Sequence, residues 1–243
     1  MAIQFWKDLS ILVGTIEVAG NAKNVNIAAS VTELDTTALS TTGWTTLVGG
    51  LKSGTVSMEL MADFVDDGLD ETLQATLGAT TIKSFCTASA DGSVAYTAQS
   101  LPINYVPVTG TVGELAMANL SGVTTGPLVR GTLLWPSSAA RTTSGTGTAR
   151  QIGALTSAQT MYAALHVIAA SGSSPTLAVK LQSDNASGFP SATDQITFAT
   201  ATGRTAEWKS KAGPVTDDWW RVSFTIGGST PSFTFAVIAG ISA

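Results

Sequence analysis

The chain has 243 residues, enough for one large or two small domains. Hydrophobic residues make up 44% and charged residues only 12%, about half the ordinary share, so the surface is filled with Gly, Ala, Ser and Thr. That suits a subunit that buries much of its surface in an assembly, or a secreted β protein. The net charge is −5, with twelve acids against five bases up to Ser137 and five acids against seven bases beyond it. A nucleic-acid binder would need basic stripes to neutralise phosphates, and the first part has the opposite sign. An acidic first part fits a wall that repels a duplex and lets it pass.

The first residues place Phe5 and Trp6 beside the terminus, where exposed aromatics dock either on their own domain or on a neighbour. The terminus lacks the basic region, apolar core and cleavage site of a signal peptide. No apolar run approaches the roughly 20 residues of a membrane helix. The expectation is a protein made in the cytoplasm, without a membrane span. Residues 11–18 read as a strand and 21–24 as a turn. Residues 25–34 read as a second strand, with Val25, Ile27 and Ala29 alternating against Asn24, Asn26 and Ala28. Residues 35–48 hold six threonines, among them Thr41 and Thr42, with Trp44 in their midst. Such a segment is a flexible loop or a protruding hairpin.

The next thirty residues hold a strand, an acidic link and a helix. Val56, Met58 and Leu60 point one way and Thr55, Ser57 and Glu59 the other. Leu69, Leu73 and Leu77 recur every four residues and make a narrow apolar helical stripe. Asp66 or Asp67 is placed to cap the helix, Asp70 and Glu71 fall in its first turn, and Gly78 is placed to end it. Residues 80–88 and 94–101 read as a hairpin around Asp91-Gly92. Strands follow at 103–108, 114–121 and 128–135. The stretch 137–148 has no large apolar residue and reads as a linker. Beyond it, strands are expected at 161–168, 176–183, 194–200, 220–226 and 232–238, with turns at 172–175 and 227–231.

The run from Gly49, Gly-Gly-Leu-Lys-Ser-Gly followed by an alternating strand, Ala62-Asp63-Phe64 and a short helix, resembles the tail tube (major tail) proteins of long-tailed bacteriophages. Residues 162–184 and 217–241 are similar to the C-terminal half of such proteins. The strands and the single mid-chain helix suggest a β-sandwich or rolled sheet with one flanking helix over 1–136, a plan that phage tube subunits resemble. After the linker at 137–148, about six strands and no helix point to a second all-β sandwich over 149–243, of jelly-roll or immunoglobulin type. The resemblance implies a structural virion protein made in the host bacterium, whose hexameric rings stack into a tail tube for DNA ejection. Its partners would be further copies of itself, other tail proteins such as the tape measure, terminator and distal tail proteins, and DNA passing through the lumen. Inter-ring or inter-subunit contacts would fall to Phe5, Trp6, Thr41, Thr42 and Trp44. Glu59 and Asp63 would face the lumen. The linker and the changed sign of charge after it suggest that the second domain lies on the outside, where Trp208 and Trp219 would make contacts.

No catalytic constellation stands out, and no cofactor or metal is expected. His166 is the single histidine and Cys86 the single cysteine, too few for a zinc site. His166 alternates out of phase with Leu165 and Val167 and reads as lying on a solvated strand face. Cys86 reads as a small buried hydrophobe. The acids Asp63, Asp66, Asp67, Asp70 and Glu71 could gather around calcium, but helix capping accounts for several of them. Glu59 and Asp63 could pair for glycoside hydrolysis, though nothing aromatic and polar surrounds them. The rival reading is a secreted two-domain carbohydrate-binding protein with Trp208 and Trp219 as its sugar platform.

Overall fold

The computed structural model describes residues 8–37, 44–66 and 68–242. Phe5, Trp6, Thr41, Thr42 and Asp67 lie outside them. Among the described residues the fold is mainly β, with one short helix, and the pairings whose register is described are antiparallel. The chain forms two compact units. One holds Met1–Asn21, Thr81–Gln99 and Val129–Ala243, the other Ala22–Thr80 and Ser100–Leu128. This division differs from the expected cut at 137–148. That stretch is tied into the first unit: Arg141 bridges Phe233, a short strand β9 (Gly145–Thr146) pairs with residues 223–224, and Gly147 N–H donates to the Val222 carbonyl. Small residues there serve close packing rather than freedom.

In the second unit, β3 (Ala22–Asp35) pairs with β4 (Leu47–Met61), β4 with β7 (Met117–Thr124), and β7 with the later part of β6 (Val94–Thr109). Val56, Met58, Leu60, Ala118 and Leu120 are buried on one face, as the alternation requires. The helix α1 (Leu69–Ala75) buries Leu69 and Leu73. Tyr105 donates its hydroxyl to Asp70 Oδ1 at 2.7 Å. Tyr105 pairs with Leu120 and Leu120 with Met58, so the helix lies over that apolar face. Gly68 takes the N-cap position expected of an aspartate, and no side chain caps it. Asp63 instead spends its carboxylate on the Val65 N–H and its carbonyl on the Asp70 N–H. Leu77 lies beyond the helix and is 47% exposed, while Gly78 has the expected left-handed conformation.

In the first unit, the expected strand at 11–18 is a tight hairpin, β1 (Ser10–Val13) and β2 (Ile16–Glu17), because Gly14 turns the chain. β1 also pairs with β5 (Thr81–Cys86), which leads through Asp91-Gly92 into β6. β6 then pairs with β8 (Val129–Trp135). Strands expected at 161–168 and 176–183 are one strand, β11 (Thr160–Asp184), and those at 220–226 and 232–238 are another, β14 (Trp219–Ser242). The two pair along their length from Thr160↔Ser242 to Asp184↔Trp219. The expected turns are facing bulges rather than reversals. Gly172 and Gly228 have φ of 116° and 110°, and the residues two further on, Ser174 and Thr230, also have positive φ. Each is followed by proline, so Gly-Ser-Ser-Pro faces Gly-Ser-Thr-Pro with Ser173 opposite Ser229.

The bulges fold the ribbon over. Met161, Leu165 and Val167 from before the bend pack in one core with Leu177, Val179 and Leu181 from after it. Trp135, Phe224 and Phe235 fill that core, with Trp135 and Phe235 stacked at 5.7 Å. Ala164, Ala236 and Ile238 join a second cluster with Leu12, Ile82, Cys86 and Leu133. The ribbon is therefore buried on both faces there. Two further strands, β12 (Thr193–Thr197) and β13 (Thr205–Ala212), flank β11, and β10 (Arg150–Gln151) pairs with β14. β13 has no counterpart in the sequence reading, since its lysines and glutamate mask the alternation.

His166 overturns the solvated-face reading. It is fully buried, and its Nε2 lies 2.8 Å from Ser84 Oγ while Nδ1 lies 2.7 Å from the Gly14 carbonyl. The face opposite Leu165 is a second core, not solvent. Cys86 is 1% exposed, and burial, aided by the Glu17 carboxylate, pushes its thiol up to about 12.

Candidate assembly interface

The β3–β4 hairpin is the least buried regular structure in the second unit. β4 begins at Leu47 opposite Asp35, so the described part of the threonine-rich segment closes a projecting arm. Threonines build its neck. Thr36 N–H and its hydroxyl both donate to the Thr46 carbonyl, Thr46 N–H donates to Thr37 Oγ1, and Thr37 N–H donates to Asp35 Oδ1. The Thr37 bonds hold the Asp35 carboxyl below its ordinary value. Side-chain hydroxyls here replace backbone partners that a wider sheet would supply.

Apolar side chains coat the arm. Trp44 is 81% exposed and Leu51 84%, and Val31, Leu34, Leu47 and Val48 are each about half exposed. Leu34 sits opposite Val48. Gly49 and Gly50 give Val31 and Leu34 room to lie across the strand: a Cβ on either glycine would come within 3.2 Å of those side chains. Single exposed apolar residues are ordinary, but here Leu34 and Val48 lie on one face of the hairpin and Leu47, opposite Asp35, on the other, so the arm offers apolar side chains to a partner on both faces. Among the described residues β3 pairs with β4 alone, so its 14-residue outer edge carries unpaired backbone groups.

The sheet face away from α1 is polar and nearly uncharged. Across it run the rows Asn26–Ser57–Ser121–Asn104 and Asn24–Glu59–Asn119. A groove of ≈ 230 Å³ opens there, with Asn24, Ser57, Glu59, Asn104, Asn119 and Ser121 in its lining. Glu59 sits at the centre of this face. Asp63 does not join it, because β4 ends at Met61 and Asp63 is held in the turn before α1. No group of three or more His, Cys, Asp or Glu side chains comes together among the described residues.

The two tryptophans of the expected sugar platform are separated. Trp208 pairs with Ala164 near the start of β11 and packs on Tyr162 at 5.6 Å, whereas Trp219 pairs with Asp184 at the end of β11. Both are half-buried. Val31, Leu34 and Leu51 escaped the sequence reading. The available signal was the Gly-Gly pair beside apolar residues that no partner segment needed.

No family model matches the sequence, and no curated protein matches it. Among solved structures, the chain is similar to one from the virion of a native gene transfer agent particle (20% identity, TM-score 0.42). It is also similar to one from the tail of an empty particle of that kind, refined with C6 symmetry (19% identity, TM-score 0.43). Each likeness covers 53% of this chain and 98% of the other. A likeness to the SPP1 Dit protein, described as a hub adsorption apparatus of phages infecting Gram-positive hosts, covers 98% of this chain and 100% of that one, at 10% identity and a TM-score of 0.37. No helix among the described residues is long and apolar enough to cross a membrane.

Proposed function

We propose that this chain is a structural subunit of a phage-type virion tail that assembles with copies of itself into stacked hexameric rings, forming a tube for DNA. The observation that carries the reading is the apolar β3–β4 arm. It exposes Trp44 at 81% and Leu51 at 84% on a hairpin too thin to bury them itself. The open edge of β3 adds unpaired backbone groups that a neighbouring copy would satisfy. The amide- and hydroxyl-lined face around Glu59 is the surface we assign to the lumen, since it offers a polyanion no cation to stick to. Tape measure, terminator and distal tail proteins would meet the tube at its axis and ends. Catalysis has no place in this reading.

Negative-stain electron microscopy of the purified chain, run beside size-exclusion chromatography, tests it. Rings or tubes are expected, either at high concentration or after seeding with preformed tube ends. A chain that stays monomeric under both conditions would overturn the reading.

A further inference from the structure

We propose that one sheet face of the first unit is a binding site for a neutral polysaccharide, centred on Trp219 and Arg221. The two side chains alternate with core residues Trp220 and Val222, so they share the face away from the core, about 7 Å apart along β14. Register places Asp184 and Gln151 beside Trp219, Gln182 beside Arg221, and Asp194 beside Gln182.

These groups hold one another in place. Lys180 Nζ donates to Asp194 Oδ2 at 2.6 Å and Gln182 Nε2 donates to Asp194 Oδ1 at 2.8 Å. Arg221 Nε donates to Gln182 Oε1 at 3.0 Å, and its guanidinium lies 4.2 Å over the Phe189 ring. Stacking and this hydrogen bond order the guanidinium, whose Nη groups are further donors. On the other side of Trp219, Gln151 Nε2 donates to Asp218 Oδ2 at 2.6 Å. A half-exposed indole thus lies between two rows of planar polar groups.

The chemistry selects the ligand. Asp184 is buried and spends its two oxygens on the Ala186 and Ser191 N–H groups, which leaves the cations Lys180 and Arg221 with the carboxylates of Asp194 and Asp218, so neither a polyanion nor a polycation is favoured. Hydroxyl groups both donate and accept, and can bridge a guanidinium edge to a carboxylate oxygen. A pyranose ring offers such hydroxyls around its rim and an apolar C–H face to the indole. Ordered side chains lower the entropy lost on binding. This site is independent of the assembly reading, because it uses neither the arm nor a second copy.

Affinity electrophoresis of the full chain through gels containing dextran, laminarin, galactomannan or arabinoxylan tests the proposal. At least one polymer is expected to retard the protein. Trp219→Ala should weaken that retardation by about tenfold or more, and Trp219→Tyr should retain most of it. Arg221→Gln should weaken it as well, and Trp208→Ala should leave it unchanged. Thermal unfolding of each variant separates lost binding from lost folding. Retardation by none of the polymers overturns the proposal, as does equal retardation of folded Trp219→Ala or an equal loss in Trp208→Ala.

Discussion

His166 Nε2 and Ser84 Oγ meet at 2.8 Å inside the first unit, 82 residues apart in sequence. Ser84 also lies 2.7 Å from Thr97 Oγ1, and His166 Nδ1–H donates to the Gly14 carbonyl. The neutral imidazole therefore accepts from Ser84 on one side and donates on the other, and pins β5, β6, β11 and the β1–β2 turn together. Burial pulls its pKa from 6.5 to about 4, against the smaller opposing effect of the Gly14 bond. The sign follows from proton counting. Between pH 6.5 and 4 the unfolded chain binds a proton that the folded chain refuses, so stability falls as pH drops through that window. The loss approaches about 3 kcal/mol. Urea unfolding at pH 7.5, 6 and 4.5 should show it, and His166→Gln should flatten that part of the acid slope. An unchanged slope in the variant would count against a buried neutral histidine.

Lys83 presents the opposite problem at high pH. Its side chain is fully buried and Nζ has no hydrogen-bond partner among the described residues. Desolvation lowers its pKa from 10.5 to about 8. Between those values the folded chain binds fewer protons than the unfolded chain, so stability rises as pH climbs from 8 to 10.5. At pH 7 the fold carries a buried, uncompensated ammonium. Lys83→Met should stabilise the protein at pH 7 by about 1–3 kcal/mol and remove the alkaline rise. Denaturant midpoints at pH 7 and 10 give both readings, and a destabilised variant would mean that the ammonium has a partner after all.

The sequence makes much of this architecture legible where burial is one-sided. The Val56–Met58–Leu60 alternation predicts the buried face of β4, and Asp91-Gly92 marks a real hairpin turn. Legibility fails where both faces are buried. Alternation around His166 looks like one apolar and one wet face, because Ala164 and Ala236 are small and a histidine and a serine satisfy each other inside the second core. It fails again at Gly172 and Gly228. A glycine–proline cluster signals a reversal of direction, but two such clusters face to face make a bend in a continuing ribbon. That pairing is a long-range fact. For the candidate interface, Trp44 is visible in the sequence, whereas the exposure of Leu51 depends on how far the arm projects.

Gly92 and Arg150 form a close fit that a methyl group would break. Gly92 has φ of 86°, and a Cβ there would stand 2.6 Å from Arg150 Cζ. Arg150 lies over the turn because its Nη2 donates to the Asp91 carbonyl and pairs with Asp91 Oδ2, both at 3.1 Å. Gly92→Ala should cost about 1–3 kcal/mol, from backbone strain plus displacement of the guanidinium. Arg150→Ala in the same chain should recover part of that loss and leave the strain. A double-mutant cycle by urea denaturation measures the recovered part. Strict additivity would show that the arginine moves aside freely.

The arm separates folding from assembly more cleanly than any other element. Leu51 is 84% exposed and Trp44 81%, so neither supports the core of the isolated chain. Leu51→Asp and Trp44→Ser should each leave monomer stability within about 0.5 kcal/mol of the parent. Contact with a second copy would bury these side chains, and an aspartate placed there would be desolvated without a partner. Each variant should therefore abolish or strongly weaken ring and tube formation while its unfolding curve stays superimposable. Met58→Ala is the contrasting substitution, since Met58 is 3% exposed. It should lower stability by about 2–5 kcal/mol and impair assembly only as far as it impairs folding. Analytical ultracentrifugation beside chemical denaturation reads both properties. If Leu51→Asp assembles as well as the parent, the arm is not the surface that joins one copy to the next.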